Sequence, residues 1–456
     1  MEAELKEKVK AAFVGFGEVN TPRGVIEQKC LNAKQLLEAN DIELINYNIV
    51  NDDYSEKQAK EAIDSIGGKC FDVFIVCIAG WIPSWAVIKV VKKFEHKPML
   101  LWGLTGYYEN KKLLTTADQA GTSALRKVFE DMCFNFKYIY DSPGKQTNIK
   151  KITDFAKACQ SSNILANSKI GMMGYRDMNL YGTTYDGTSL RGKLGIEIEH
   201  FEMFEIVEKI KNISPSEINK KIVEIREKWE FKKPAADTTL KTGVEFYLAL
   251  KEKILERKYE AVSLIDVDGM KKLLNFPPAM IFMLVSDDLD VCTIPENDSL
   301  GSVTQLVCKY LTGQISAYME LYEFMEDRIL MGVPDFVPSE VADGKTMVIP
   351  TKFGDLGESI LNVSKVKTGK VTLARLAASK GKYLMHIITG EAVTPGSWEE
   401  IGWTPPAPQL PSLEIILDSP IEDFAQKVMS QHYIITYGNN YSLLKDFCKL
   451  KNIEVI

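Results

Sequence analysis

Two acid-bearing segments carry the residue types best suited to chemistry. In Val291–Gln305 (VCTIPENDSLGSVTQ) an apolar run leads into Pro295-Glu296-Asn297-Asp298 and then into a helix-forming stretch. Acids at the C-terminal end of a strand, just before a helix, are where α/β enzymes place reacting groups. Asp298 or Ser299 has a simpler role open to it, as N-cap of the helix that follows. Glu296 is less well explained that way. In Ile315–Glu323 (ISAYMELYE) a second apolar strand ends in Glu320, with Glu323 close behind. Two strands that each end in an acid can bring both carboxylates into one crevice. The other reading of paired acids is a salt-bridged surface, and the residues alone leave both open.

The chain has 4 histidines, His96, His200, His386 and His432. His96 sits in a charged loop and reads as solvated. His200 follows Glu197 and Glu199 at a strand end, His386 lies within a β-forming run, and His432 opens the apolar strand His432–Ile435. A strand end is a good place for a ligand, although a lone histidine is more often structural. Two carboxylates with one imidazole make a hard, oxygen-rich donor set suited to Mn2+ or Mg2+. Such an ion can take two vicinal oxygens of an open-chain sugar and polarise its carbonyl. One carboxylate can then carry a proton between adjacent carbons. Gly15-Phe16-Gly17 occupies the place of a dinucleotide fingerprint, but the third glycine is missing and no acid closes the next strand cleanly. A tight turn, or a loop that touches a sugar, fits it better than a nicotinamide site. No phosphate-binding Gly-x-x-x-x-Gly-Lys-Ser/Thr loop occurs.

The elements that must position these residues alternate between strand and helix. Ala11–Gly15, Ile42–Val50, Asp72–Ile78, Met99–Trp102 and Phe136–Tyr140 read as strands. Helix-period stretches separate them at Pro22–Ala39, Ser55–Ile66, Trp85–Phe94 and Ala120–Met132. Asp72–Ile78 is nearly all apolar, as a strand covered on both faces must be. A second series includes strands at Lys169–Met173, Gly195–His200, Ala261–Asp266 and Ile315–Glu320, among helices such as Thr239–Arg257 and Ser299–Leu311. Such alternation specifies parallel sheets with helices on both faces. After Pro334 the texture turns to short strands separated by Gly and Asp turns, which predicts a β-rich, barrel-like domain. A proline-rich loop spans Trp398–Pro411 and a helix–strand–helix run closes the chain. The expected fold is α/β: two Rossmann-like domains, 1–148 and 149–335, then a barrel-like domain, 336–456, that carries His432.

Bulk composition narrows the function classes. The chain has 456 residues, 45% hydrophobic and 26% charged, so a large core can be buried. A net charge of −7, with 62 acids against 55 bases, leaves no basic face of the kind nucleic acid requires. The lysine pairs Lys220-Lys221 and Lys271-Lys272, and the run Lys365–Lys370, read as solvated faces. The 8 scattered cysteines form no Cys-x-x-Cys pair, which points to reduced thiols in the cytoplasm and away from a thiolate zinc site. Met1–Lys10 lacks a signal-peptide core, and no apolar run is long enough to span a bilayer.

Taken together, these segments resemble the L-fucose isomerase and L-arabinose isomerase family. Glu296-Asn297-Asp298-Ser299-Leu300-Gly301-Ser302-Val303-Thr304 is similar to that family's Glu-x-Asp-x-x-Gly-(Ala/Ser)-x-Thr stretch. Tyr318-Met319-Glu320 resembles the strand end bearing its second acid, and Ser430–Ile456 its C-terminal segment. Gly174–Gly182 (GYRDMNLYG), with Leu194–Glu197, resembles the segment that opens the second domain. The resemblance implies an aldose–ketose isomerase with Glu296, Glu320 and His432 as metal ligands and the two glutamates as acid and base. Its ion would be Mn2+, with Mg2+ or Co2+ as alternatives. It implies a homotrimer or homohexamer with shared active sites, where Met178 lines the pocket and Trp81 is an aromatic contact. Trp85 and Trp102 are further aromatic candidates, and packing within the first domain is the alternative for all three. One departure stands out. Met331–Pro338 lacks the further histidine of arabinose isomerases, so the expected substrate widens to a deoxy- or modified hexose, including one sulfonated at C6. Arg176 is then a candidate partner for the anion. A non-catalytic sugar-binding or regulatory protein on the same domains is the alternative.

Overall fold

Val73–Ile78 is buried at all six positions, which only a strand covered on both faces allows. It lies inside a parallel sheet. The computed structural model describes residues 8–333, 336–352, 354–395 and 411–456, and the proline-rich stretch 398–410 falls outside them. Chain contacts divide the protein into two compact units, Lys6–Asn163 and Ile164–Ile456.

In the first unit the strand order is Ile42–Leu44, Val9–Phe16, Val73–Ile78, Met99–Gly103, Phe136–Tyr140. All neighbours are parallel. The predicted strand Ile42–Val50 is interrupted at Ile45–Tyr47, and its second half, Asn48–Val50, pairs with the end of Val9–Phe16. Counted as one interrupted strand, this gives the order 2-1-3-4-5. A short hairpin, Tyr107–Glu109 with Lys112–Leu114, was not legible in the sequence.

The second unit holds a parallel four-stranded sheet ordered Glu197–Phe201, Lys169–Met173, Ala261–Leu264, Cys292–Ile294. Beside it is a closed barrel of six strands. Gly369–Ser379, His432–Tyr437, Ala317–Phe324, Ile329–Gly332, Ser412–Leu417 and Lys382–Val393 follow one another, and the last pairs back onto the first. The fold is therefore α/β with parallel sheets and a β-rich closed barrel. The barrel interior is apolar, with Ala317, Met319, Met331, Leu373, Leu413, Tyr433 and Ile435 in one cluster. A further core gathers the helices Asp237–Arg257 and Ala279–Leu289 under the parallel sheet and includes Val348, Ile360 and Leu361. That core thus runs across residue 335. Ala279–Leu289 is buried over its first eight positions, so it shows no amphipathic period to read.

Candidate functional site

Three loops leave the C-terminal ends of the parallel strands in the second unit, and each carries a buried acid, Asp177, Asp266 or Asp298. After Lys169–Met173, Asp177 accepts backbone N–H groups from Val267 and Asp268, both at 2.8 Å, and from Met178 at 3.1 Å. After Ala261–Leu264, Asp266 accepts the Glu296 N–H at 2.7 Å and pairs with the Lys271 ammonium at 3.1 Å. The turn between Asp266 and Lys271 is wound as a π-helix, with Lys272 N–H reaching the Val267 carbonyl at 3.0 Å. Such turns recur at functional sites. After Cys292–Ile294 come Glu296 and Asn297, with φ of 62° and 51°. Met178 and Asn179, at 46° and 55°, repeat this left-handed geometry in the neighbouring loop. Each such residue costs on the order of 1–3 kcal/mol and persists only where its surroundings enforce it. Asn297 is held by a bond from its side-chain N–H to the Met173 carbonyl, 3.0 Å, and by its own N–H to Leu264, 3.2 Å.

The barrel supplies the remaining groups through strand register. Glu320 lies directly opposite His432 across an antiparallel pair. Side chains so placed stand on one face with their Cβ atoms about 5 Å apart. On its other side Glu320 faces Gly332. A bulge follows, in which Tyr322 is the extra residue and its ring lies over Gly332. The diagonal neighbour Tyr318 stacks on the His432 ring, with centroids 4.4 Å apart and planes 23° apart. Across to the helix that follows Glu296, His432 Nδ1 stands 3.9 Å from Glu296 Oε2. Asp298 caps that helix by accepting the Gly301 N–H at 3.0 Å, as its place in the sequence implied. It also accepts the Tyr318 hydroxyl at 2.8 Å and a two-pronged bond from Arg375.

Burial sets the electrostatics. It pushes the Glu296 carboxyl up to about 8, and the charges of Asp266, Glu320 and Asp298 push the same way. Burial and the nearby Asp177 raise Asp266 to about 6, against the pull of Lys271. Burial would raise Asp298 too, but the Arg375 guanidinium outweighs it and holds the carboxyl below its usual range. The His432 imidazole is pushed down to about 3 by burial, so it is neutral and free to act as a donor of electron pairs.

Three features bear on a metal ion. Glu296 Oε2 is buried and has no hydrogen-bond partner. The 3.9 Å to His432 Nδ1 is too long for a hydrogen bond, yet an ion about 2.1 Å from each donor spans such a gap. Among the described residues, however, no group of three His, Cys, Asp or Glu side chains stands close enough together to hold an ion as placed. Glu296 and His432 stand at such a spacing, and the strand register puts Glu320 opposite His432.

The structure thus brings Glu296, Glu320 and His432 into one region. Met178 is exposed in the loop after Lys169–Met173, its N–H on Asp268 at 2.9 Å. Arg176 points to Asn179 at 3.0 Å and over the Tyr181 ring at 5.3 Å. Trp81 belongs to the first unit and is 40% exposed, Trp85 stacks on Tyr54, and Trp102 is buried with its N–H on Asp141. Sequence reasoning missed four members of the cluster. Lys271, which reads as one of a solvated lysine pair, is 3% exposed beside Asp266. Asp177 and Arg375 gave no signal, while Asp266 ends a strand much as Glu296 does.

All eight cysteines are free, six buried and two exposed. No helix among the described residues is long and apolar enough to cross a membrane. No family model and no curated protein matches the chain. Among solved structures it is similar to the periplasmic binding protein component of the arabinose ABC transporter from Shewanella sp. ANA-3, bound to α- and β-L-arabinofuranose. Identity is 14%, coverage 66% of this chain and 86% of that one, and the TM-score 0.17. A score that low carries no argument about fold or function.

Proposed function

We propose that the protein is a divalent-metal-dependent aldose–ketose isomerase, with Glu296, Glu320 and His432 holding the ion, Mn2+ in the first instance. The observation that carries the reading is the meeting of the loop after Cys292–Ile294 with two paired barrel strands. The register sets Glu320 against His432, and His432 Nδ1 stands 3.9 Å from the unpartnered Glu296 Oε2. When bound, the ion would polarise the sugar carbonyl. The chain's own residues do the rest. One carboxylate of the pair takes the proton from the carbon beside the carbonyl and returns it to the former carbonyl carbon. A second proton passes between the two oxygens, so an enediol forms and collapses with no external reductant. The buried surroundings keep water from competing with the substrate. His432, neutral, serves only as a ligand. Two Rossmann-like domains and a homotrimer or homohexamer belong to the same reading. The substrate is a pentose or a deoxy- or modified hexose, with Arg176 and Met178 at the pocket rim and, in the oligomer, Trp81 of a neighbouring subunit as a further sugar contact.

The test is metal-dependent ketose formation. Chelator-stripped protein is given Mn2+ with L-fucose, L-arabinose, D-arabinose, glucose and 6-sulfonated glucose. Ketose from one of these only when metal is present supports the reading. No ketose together with no bound metal overturns it in favour of a sugar-binding protein.

A further inference from the structure

Arg375 lies in Gly369–Ser379, one residue past the last pairing of that strand with His432–Tyr437, Ala374 opposite Ile434. It is 2% exposed, and its fork closes on both oxygens of Asp298. A buried guanidinium this far from solvent is tolerated only when paired. The pairing also has a direction. Asp298 Oδ1 takes the Gly301 N–H and one Arg375 nitrogen, while Oδ2 takes the other nitrogen and the Tyr318 hydroxyl. The phenol is thereby tied at its far end, and because conjugation keeps the O–H in the plane of the ring, its bond to Oδ2 favours one ring plane. That ring lies 4.4 Å from the His432 ring. A histidine's second side-chain torsion is broad by nature, so a fixed neighbouring ring is what selects one orientation.

We propose that Arg375 is a positioning residue for His432: it clamps Asp298, Asp298 ties down Tyr318, and the Tyr318 ring sets the plane in which the imidazole faces Glu296. The inference rests on the reading of His432 as a functional ligand. Lysine cannot replace arginine in this role, because a point-like ammonium cannot engage both carboxylate oxygens in one plane. The geometry also explains Gly301. A Cβ there would lie 2.5 Å from Asp298 Oδ2 and 2.9 Å from Arg375 Nη1, so the clamp needs the space that glycine leaves.

With only 4 histidines in the chain, the full-length protein labelled with 15N-histidine gives few imidazole signals, and His432→Gln assigns the one of interest. Spectra are taken without metal for wild type, Arg375→Lys, Tyr318→Phe and the double variant. We expect the His432 ring signals to move in both single variants, with the His96 and His200 signals unchanged and no further movement in the double. Mn2+ affinity, titrated separately, falls about ten- to hundredfold in each, as is usual when a residue supporting a ligand is lost. His432 signals that coincide with wild type in Tyr318→Phe overturn the proposal, and that variant decides alone if Arg375→Lys does not fold. If wild type binds no Mn2+ while the His432 signals still follow Arg375, the positioning role stands and the isomerase reading falls.

Discussion

Replacing glycine by alanine in the interior of a helix ordinarily stabilises a protein by about 1 kcal/mol, because glycine has more backbone freedom to lose. Two glycines of the second unit should answer this substitution with opposite signs. Gly192 lies in Gly187–Leu194, and a Cβ there meets nothing within 4 Å. Gly192→Ala should raise the thermal midpoint by roughly 2–4 °C at most. Gly301 lies in Ser299–Thr312, where the new Cβ would fall 2.5 Å from Asp298 Oδ2, 2.7 Å from its Cγ and 2.9 Å from Arg375 Nη1. These are not flexible ends in solvent but the two halves of a buried ion pair, so the clash sits at the upper end of overpacking costs, about 3 kcal/mol. Set against a propensity gain of about 1 kcal/mol, the net loss is about 2 kcal/mol. That is a fall of roughly 4–8 °C in a unit of this size. Thermal unfolding of the two variants beside wild type measures both. If Gly301→Ala stabilises as Gly192→Ala does, the Asp298–Arg375 clamp yields freely and the case for its rigidity is lost.

Three further expectations concern the same unit. Glu296→Gln and Glu320→Gln should each abolish ketose formation while thermal midpoint and circular dichroism stay near wild type, and normal turnover in either would remove it from the site. Lys271→Met strips Asp266 of its buried counter-charge and should cost about 3–5 kcal/mol, seen as a lower urea midpoint; an unchanged midpoint would mean the ammonium is not what holds that carboxylate. Burial, with the charge of Lys427, pushes the His386 imidazole down to about 4. Its folded value lies below the usual histidine range, near 6.5, so its contribution to stability is complete above that range and is lost as pH falls from there towards 4. A His386→Phe variant should show a flatter loss of stability across that window, and an equally steep loss would assign the effect to other groups.

The strands and helices that carry the acids were legible because apolar runs and helical periods are local signals. Glu296 and His432 could be picked out because each lies at a strand end; Glu320 reads as one too, but its strand runs on to Phe324, and what Glu320 marks is the end of the pairing with His432–Tyr437. The same signal extends to Asp266 and could have found it. Lys271 was hidden because two adjacent lysines on a polar turn look the same in sequence whether the first one is solvated or folded under. Arg375, in VTLARLAAS, reads as one polar residue of a strand; its partner Asp298 is remote in the chain, and only the assembled barrel brings them together. The apposition of Glu320 and His432 is likewise a matter of register between distant segments, which periodicity along one strand cannot fix.

That register has a consequence for how the chain tolerates insertion and deletion. Side chains alternate faces along a strand, so adding or removing one residue before Glu320 would turn it inward and leave His432 facing an apolar neighbour. In an open sheet a strand could slide to absorb the change. Here Ala317–Phe324 is hydrogen-bonded on both sides within a closed ring, and a slip would break both ladders at once. The loops between barrel strands can therefore vary in length, whereas the strands that carry the pair must keep their count.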